Sequence, residues 1–135
     1  MARRRAPLRG VVVVPGSKSL SNRYLLLAAA ARGRSRVSGL LDSDDVQNGS
    51  ACVVALGAKL TVDGEAVRVD GVDGAFAAQG RRVYLGAAGT LARFLPGLLA
   101  AADGEKFHLE SSAQLAGRPI DGLVAPLRML GAHIE

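Results

Sequence analysis

Short runs of β-branched residues alternate along this chain with longer segments rich in Leu and Ala. The runs have the length and residue types of strands, the longer segments have those of helices, and Pro and Gly mark most of the breaks. The pattern predicts, in chain order, a strand Val11–Val14, a helix Leu20–Ala31, a strand Ser35–Leu40, a helix through Val46 and Leu56, and a hairpin of Lys59–Val62 with Ala66–Val69.

The same order of elements starts again near residue 81. The second series is a strand Arg82–Leu85, a helix Leu91–Ala102, a strand Lys106–Glu110 and a helix opened by Pro119 and closed by Gly131. The letters also agree, since ALGAKL at 55–60 is matched by MLGAHI at 129–134. These matches predict an α/β (α+β) fold built from repeated β-α-β-α-β-β units. Because the second series stops where its hairpin would begin, we expect one complete and one partial unit, in a chain cut from something longer. The alternative is chance alternation of strands and helices.

Composition adds a preference for anionic ligands. The chain has 135 residues and 49% hydrophobic content, as expected of one globular domain, and its net charge of +5 favours anions. Aromatic residues make up 4% and Trp is absent, so the stacking surfaces of single-stranded nucleic-acid binders are largely missing. We expect no nucleic-acid partner, and we interpret Arg3–Arg5 as a solvated tail.

The chain carries no targeting pattern. Cys52 is the single cysteine, so it forms no internal disulfide, and it is predicted to be a small buried apolar residue. No apolar run reaches the length of a membrane span, and the start MARRRAPLRG is not followed by a signal-peptide pattern. We therefore expect a cytoplasmic protein with no membrane partner.

The stretch PGSKSLSNR at 15–23 joins the first predicted strand to the first helix. Backbone N–H groups and hydroxyls at a helix N-terminus favour an anion, because the helix dipole is positive there. Lys18 adds a positive charge beside Ser19, and Arg23 follows about one helical turn later with a guanidinium suited to phosphate or carboxylate. The stretch is not a nucleotide P-loop, because its residues lack Gly where that motif needs it. It predicts anion binding, and the alternative is a helix cap with two solvated cations.

Two further helix starts carry similar chemistry. The turn GAAGT at 86–90 offers small residues that let a ligand approach the backbone, the Thr90 hydroxyl, and Arg93 one turn into the helix. Arg118 precedes Pro119, which holds it extended, so its guanidinium can cross the start of the next helix. We expect these helix starts to share one cleft, and the alternative for the Gly-rich turn is a purely structural role.

The remaining polar residues have plainer interpretations. His108 and His133 have no metal-ligand neighbours in the sequence, so we expect no metal site. Asp42, Asp44 and Asp45 stand at the start of a predicted helix, where capping is their expected role.

Four motifs, PGSKSLSNR, LLDSDD, GAAGT and GRPI, occur in the order and spacing of the 5-enolpyruvylshikimate-3-phosphate synthase family. The chain resembles the N-terminal part of that family from about Pro7 to Glu135. A sister family that acts on UDP-N-acetylglucosamine shares the fold but lacks this form of the first motif. The resemblance implies an inside-out α/β barrel of β-α-β-α-β-β units. Its expected division here is an N-terminal strand and crossover segment at 1–18, a first unit at 19–80 and an incomplete second unit at 81–135.

The resemblance also implies a reaction. Family members move the enolpyruvyl group of phosphoenolpyruvate to shikimate 3-phosphate in aromatic amino acid biosynthesis, without a metal or organic cofactor. By motif match, Lys18 would be catalytic and touch both substrates, and Ser19 with Arg23 would bind shikimate 3-phosphate. The same match implies that phosphoenolpyruvate, or the inhibitor glyphosate, binds beside Gly89 and Thr90. It also implies that Arg118 binds the phosphate of phosphoenolpyruvate. These three residues complete the expected site.

Two departures and one absence qualify this expectation. Ala87 replaces the usual Asn of the GAAGT turn, and Gln114 stands where many members carry Arg. The family's Ser-Ser-Gln loop, its catalytic Asp and Lys and its C-terminal arginines would all follow Glu135. We therefore expect this chain alone to bind weakly and to be inactive without the rest of the enzyme or a complementary chain. The alternative is a non-catalytic anion-binding module or half of a split enzyme.

Overall fold

Five helices and five strands make up the part of the chain described by the computed structural model, which comprises residues 9–78, 80, 82–102 and 106–135. The helices are α1 (Lys18–Ala30), α2 (Asp44–Ala55), α3 (Gly89–Leu99), α4 (Ala113–Ala116) and α5 (Asp121–Met129). The strands are β1 (Arg34–Ser38), β2 (Lys59–Asp63), β3 (Ala66–Asp70), β4 (Arg82–Tyr84) and β5 (His108–Glu110). The Arg3–Arg5 tail lies outside the described residues.

The strands form two small sheets of different type. β1, β3 and β2 lie side by side in that order, and both pairings are antiparallel. The predicted hairpin of β2 and β3 is confirmed, and its first turn residue, Gly64, has φ +63°, the positive value that a tight hairpin turn requires. β4 and β5 pair in parallel, which a crossover through α3 makes possible.

Helices α1, α2 and α3 pack together and against the sheets to form one core. α1 contacts both α2 and α3, and α2 also contacts β4. Most of the fully buried side chains of this core are aliphatic: Leu25, Leu26, Val53, Leu56, Val69, Val83, Leu91 and Leu95. Cys52 is 1% exposed, as predicted for a small core residue. Burial raises the pKa of its thiol to about 11, so the thiol is neutral at pH 7.

The C-terminal end of α1 is held by the segment after β3. The last carbonyls of a helix have no partner within the helix. Here the N–H groups of residues 72–74 donate to the carbonyls of residues 29–31 at 2.8–3.1 Å. Gly71 makes this approach possible, since a Cβ there would lie 2.2 Å from the carbonyl oxygen of Ala31. This contact fixes α1 to the sheet and so fixes where its other end points.

Two element predictions are wrong, and one short helix was not predicted. Val11–Val14 is neither paired in a sheet nor buried, with exposures of 76–95%, because a β-branched run becomes a strand only beside a partner strand. The last long helix begins at Asp121 and not at Pro119. The short helix α4, capped by Ser112, was not predicted, because four residues are too few for a periodic pattern.

The helices of the described residues are too short or too polar to cross a membrane.

We expect Gly71→Ala to destabilise the fold by about 1–3 kcal/mol, because the new methyl group would collide with backbone oxygens that cannot rotate away. Gly97→Ala is the matched control. A Cβ at Gly97, in the last turn of α3, meets nothing within 4 Å, so that change should stabilise by about 0.5–1 kcal/mol. Urea unfolding of both variants measures the difference, and equal effects would contradict the docking of α1 described here.

Candidate functional site

The N-terminal ends of α1 and α3 lie next to each other. Asn22 in the second turn of α1 donates a hydrogen bond from Nδ2 to Oγ1 of Thr90 in the first turn of α3, at 2.9 Å. The approach to α1 is fixed by Gly16, where a Cβ would lie 2.1 Å from the carbonyl oxygen of Gly39. Two positive helix ends therefore open on one side of the molecule.

An open cavity of about 530 Å³ lies between these helix ends. Residues from four separate segments of the chain line it: Lys18, Asp45, Ala87, Gly89, Thr90, Arg93, Phe94, Gln114 and Arg118. Four of the six predicted site residues are among them. The shared cleft expected from the sequence is thus present for Lys18, Gly89, Thr90 and Arg118.

The start of α3 offers backbone donors to this cavity. Its N-cap residue, Ala88, has no side-chain acceptor, so the N–H groups of the first turn are not capped by a side chain. A Cβ at Gly89 would lie 3.3 Å from Nη1 of Arg118 and 3.4 Å from Nη1 of Arg93. The two guanidinium groups thus flank the helix end at close range. Glycine leaves room there for both arginines.

Arg93 and Arg118 are positioned by different contacts. Arg93 donates from Nη1 to the carbonyl of Gly89 at 3.1 Å and from Nη2 to the carbonyl of Pro119 at 3.3 Å. It therefore ties the start of α3 to the segment after α4. Arg118 follows α4, whose Leu115 is buried, and the N–H of Arg118 donates to the carbonyl of that leucine at 3.0 Å.

Lys18 reaches the cavity but is paired there with a carboxylate. Its Nζ lies 2.7 Å from Oδ2 of Asp45. Capping was the role expected for Asp45, and that expectation is wrong. The N-cap residue of α2 is Ser43, its side chain makes no capping hydrogen bond, and Asp45 lies in the first turn. With three cations and one carboxylate among its lining side chains, the cavity keeps a positive balance.

Ser19 and Arg23 lie beside the cavity and do not line it. Arg23 donates from Nη1 to Oγ of Ser19 at 2.6 Å. Its guanidinium carbon sits 4.5 Å from the ring centre of Phe94, a cation–π distance, and Phe94 is a lining residue. The structure therefore brings Arg23 to the rim of the cavity through an aromatic contact that the sequence pattern did not indicate.

A second cavity of about 190 Å³ lies behind Arg93 and Arg118, which line both spaces. Its other walls are largely apolar, including Leu85, Leu109 and Leu115. It offers an anion no cation beyond the two that it shares, so we place the candidate site in the larger cavity.

A family model and curated relatives match this chain along nearly its whole length. The family model described as EPSP synthase (3-phosphoshikimate 1-carboxyvinyltransferase) matches residues 2–135. A relative from Halalkalibacterium halodurans, named 3-phosphoshikimate 1-carboxyvinyltransferase 2, is 42% identical over 128 residues, which cover 95% of this chain and 28% of the relative. The 3-phosphoshikimate 1-carboxyvinyltransferase of Burkholderia lata is 44% identical over 126 residues, covering 93% of this chain and 29% of that protein.

Solved structures agree with the sequence comparisons. Two structures of EPSP synthase from Acinetobacter baumannii superpose with TM-scores of 0.80 and 0.83 at 31% and 30% identity. They cover 92% and 93% of this chain, which in turn covers 28% of each of theirs. The mixed α/β class predicted for the chain is confirmed. The division into units at 1–18, 19–80 and 81–135 stays a prediction. The chain spans less than a third of the length of the relatives that it matches.

We expect Asp45→Asn to tighten the binding of inorganic phosphate to this chain about 3–10-fold, because the change removes a negative charge from the cavity and frees Lys18. Asp44→Asn is the matched control, since it changes the net charge equally at an exposed position one residue away. Titration calorimetry at low salt measures both. If the two variants gain affinity equally, or neither does, the pairing of Lys18 with Asp45 has no bearing on anion binding.

Proposed function

Because the chain belongs to the EPSP synthase family, we propose that it supplies part of the substrate site of an enzyme that transfers the enolpyruvyl group of phosphoenolpyruvate to shikimate 3-phosphate. The observation that carries this proposal is the shared cavity. Lys18, the Gly89–Thr90 helix start and Arg118 are far apart in sequence, yet they line one space. Phosphate and carboxylate are the ligands that such a set of donors accommodates.

In the proposed site, Lys18 interacts with both substrates. It lines the same cavity as Gly89 and directly precedes Ser19 in the chain, so one ammonium group can serve two anions. Ser19 and Arg23 would hold shikimate 3-phosphate, one through its hydroxyl and the other through its guanidinium. Their mutual hydrogen bond, at 2.6 Å, already places both groups at the rim.

Phosphoenolpyruvate would bind at the start of α3. The N–H groups of the first turn face its negative charge, Thr90 offers a hydroxyl, and Arg118 lies 3.3 Å from the Cβ position of Gly89. Arg118 can therefore take the phosphate while the helix end stabilises its charge. Arg93 lies equally close and is a further phosphate contact in this arrangement.

The contribution of this chain to the reaction is binding and orientation. Two multiply charged anions repel each other, and fixed cations with aimed N–H groups let them approach in a reactive geometry. We assign proton transfer at the vinyl carbon to groups in the rest of the enzyme, which the resemblance places outside this chain. The proposal includes no metal or organic cofactor. It locates the protein in the cytoplasm, where a buried thiol such as Cys52 stays reduced.

Calorimetric titration of this chain with phosphoenolpyruvate and with shikimate 3-phosphate tests the site. We expect weak, salt-sensitive binding of both, and a loss of at least about tenfold in Lys18→Ala and Arg118→Ala, because each change removes a charge-assisted contact. Arg32→Ala is the matched control, since Arg32 is an exposed cation outside the cavity. Equal losses in all three variants would show that only net charge matters, and would contradict the assignment.

A chimaera tests the reaction itself. The matching 28% of the Halalkalibacterium halodurans relative is replaced by this chain, and phosphate release is measured with both substrates. We expect turnover that falls about 100-fold or more in Lys18→Ala and is unchanged in Arg32→Ala. A folded chimaera that binds both substrates but keeps full activity without Lys18 would refute the catalytic role of that residue.

A further inference from the structure

Asn22 is a fully buried polar residue at the point where three helices meet. It belongs to α1 and is 0% exposed. Its Nδ2 donates to Oγ1 of Thr90 in α3 at 2.9 Å, and its Oδ1 faces Gly49 in α2. A Cβ at Gly49 would lie 2.4 Å from that oxygen, so the glycine leaves the space that the amide occupies.

The packing of Asn22 does not satisfy the whole amide group. Among the described residues, Oδ1 of Asn22 has no hydrogen-bond partner, although it is fully buried. A buried acceptor without a hydrogen-bond partner lowers the stability of the fold, so an apolar side chain at this position would make the core more stable. The one bond that the amide does make, to Thr90, is therefore the feature that needs a function.

We propose that Asn22 is a positioning residue that sets the direction of the Thr90 hydroxyl proton. A hydroxyl has one donor and two acceptor sites. The amide N–H fills an acceptor site of Oγ1 from the buried side, so the O–H is directed away from Asn22 and toward the cavity that Thr90 lines. Thr90 then acts as a donor to a phosphate or carboxylate oxygen. This inference rests on the proposed function, because it assigns the role of that donor.

The opposite arrangement would work against anion binding. If the group at position 22 accepted a hydrogen bond from Thr90, the hydroxyl proton would point into the core, and the lone pairs of Oγ1 would face the ligand. Asn22→Asp creates this arrangement, because a carboxylate can only accept. When protonated, the same carboxyl group can donate to Oγ1 again, and burial raises the pKa of a carboxyl at such a position.

The test is the affinity of the 135-residue chain for phosphoenolpyruvate as a function of pH, always relative to wild type at the same pH. For Asn22→Asp we expect about tenfold weaker binding at pH 8. We expect recovery to within about twofold of wild type once the introduced carboxyl is protonated. Gln47→Glu is the matched control, since it adds the same charge on α2 at an exposed side chain that does not line the cavity. It should change affinity by less than about twofold.

Thr90 variants separate proton direction from charge. In Thr90→Val, which has no hydroxyl, Asn22→Asp should weaken binding clearly less than in wild type. In Thr90→Ser, which keeps the hydroxyl, the full effect should return. If Asn22→Asp does not fold at pH 8, a double-mutant cycle of Asn22→Ala and Thr90→Val provides an uncharged test. The effects of these two changes on the affinity for phosphoenolpyruvate should again be non-additive. Circular dichroism of each variant establishes folding.

Three results would overturn the inference. They are equal affinities of Asn22→Asp and Gln47→Glu, equal effects of Asn22→Asp with and without the Thr90 hydroxyl, and strictly additive effects in the uncharged double-mutant cycle. In each case wild type still binds, so the proposed function stands. A wild-type chain that binds no phosphoenolpyruvate contradicts the proposed function, and the inference falls with it.

Discussion

Two helix ends of the same polarity lie side by side in this protein, and the rest of the site depends on that placement. The N-terminal ends of α1 and α3 both carry positive partial charge, and Lys18, Arg93 and Arg118 add to it. Such ends repel each other unless packing holds them together. Two contacts hold them together here: the packing of the fully buried leucines of α1 and α3, and the hydrogen bond between Asn22 and Thr90.

The structure balances this repulsion without abolishing it. Asp45 lies 2.7 Å from Lys18 and neutralises one of the three cations. The guanidinium of Arg93 is held by two carbonyls, and that of Arg23 lies over Phe94 next to the cavity. What remains is a positive space with N–H groups at its edge, so an anion that enters it relieves an unfavourable interaction as well as making new ones.

Local chemistry made much of this predictable from sequence. The helix containing Arg23 and the hairpin at Gly64 follow from residue types at short range, although the helix begins two residues earlier than predicted, at Lys18. The anion-binding character of the GAAGT turn stays a prediction. The resemblance to a known family then related Lys18 to Arg118, which are 100 positions apart. No helix or strand period could have connected them.

Long-range contacts were the part that the sequence could not provide. The position of Asp45 at the start of a predicted helix indicates a capping role, but its side chain forms a salt bridge with Lys18, 27 positions away on α1. Val11–Val14 has strand composition, yet composition does not supply the second strand that a ladder needs. Asn22 is one polar letter in a motif that contains several, and only its complete burial distinguishes it.

We expect one anion to contact α1, α3 and the residue after α4 at the same time. Amide and guanidinium NMR spectra of the chain, recorded while inorganic phosphate is added, test this claim most directly. We expect the signals of Lys18, Gly89, Thr90 and Arg118 to shift together along one binding curve. Shifts confined to one of these segments, or different curves for each, would contradict it.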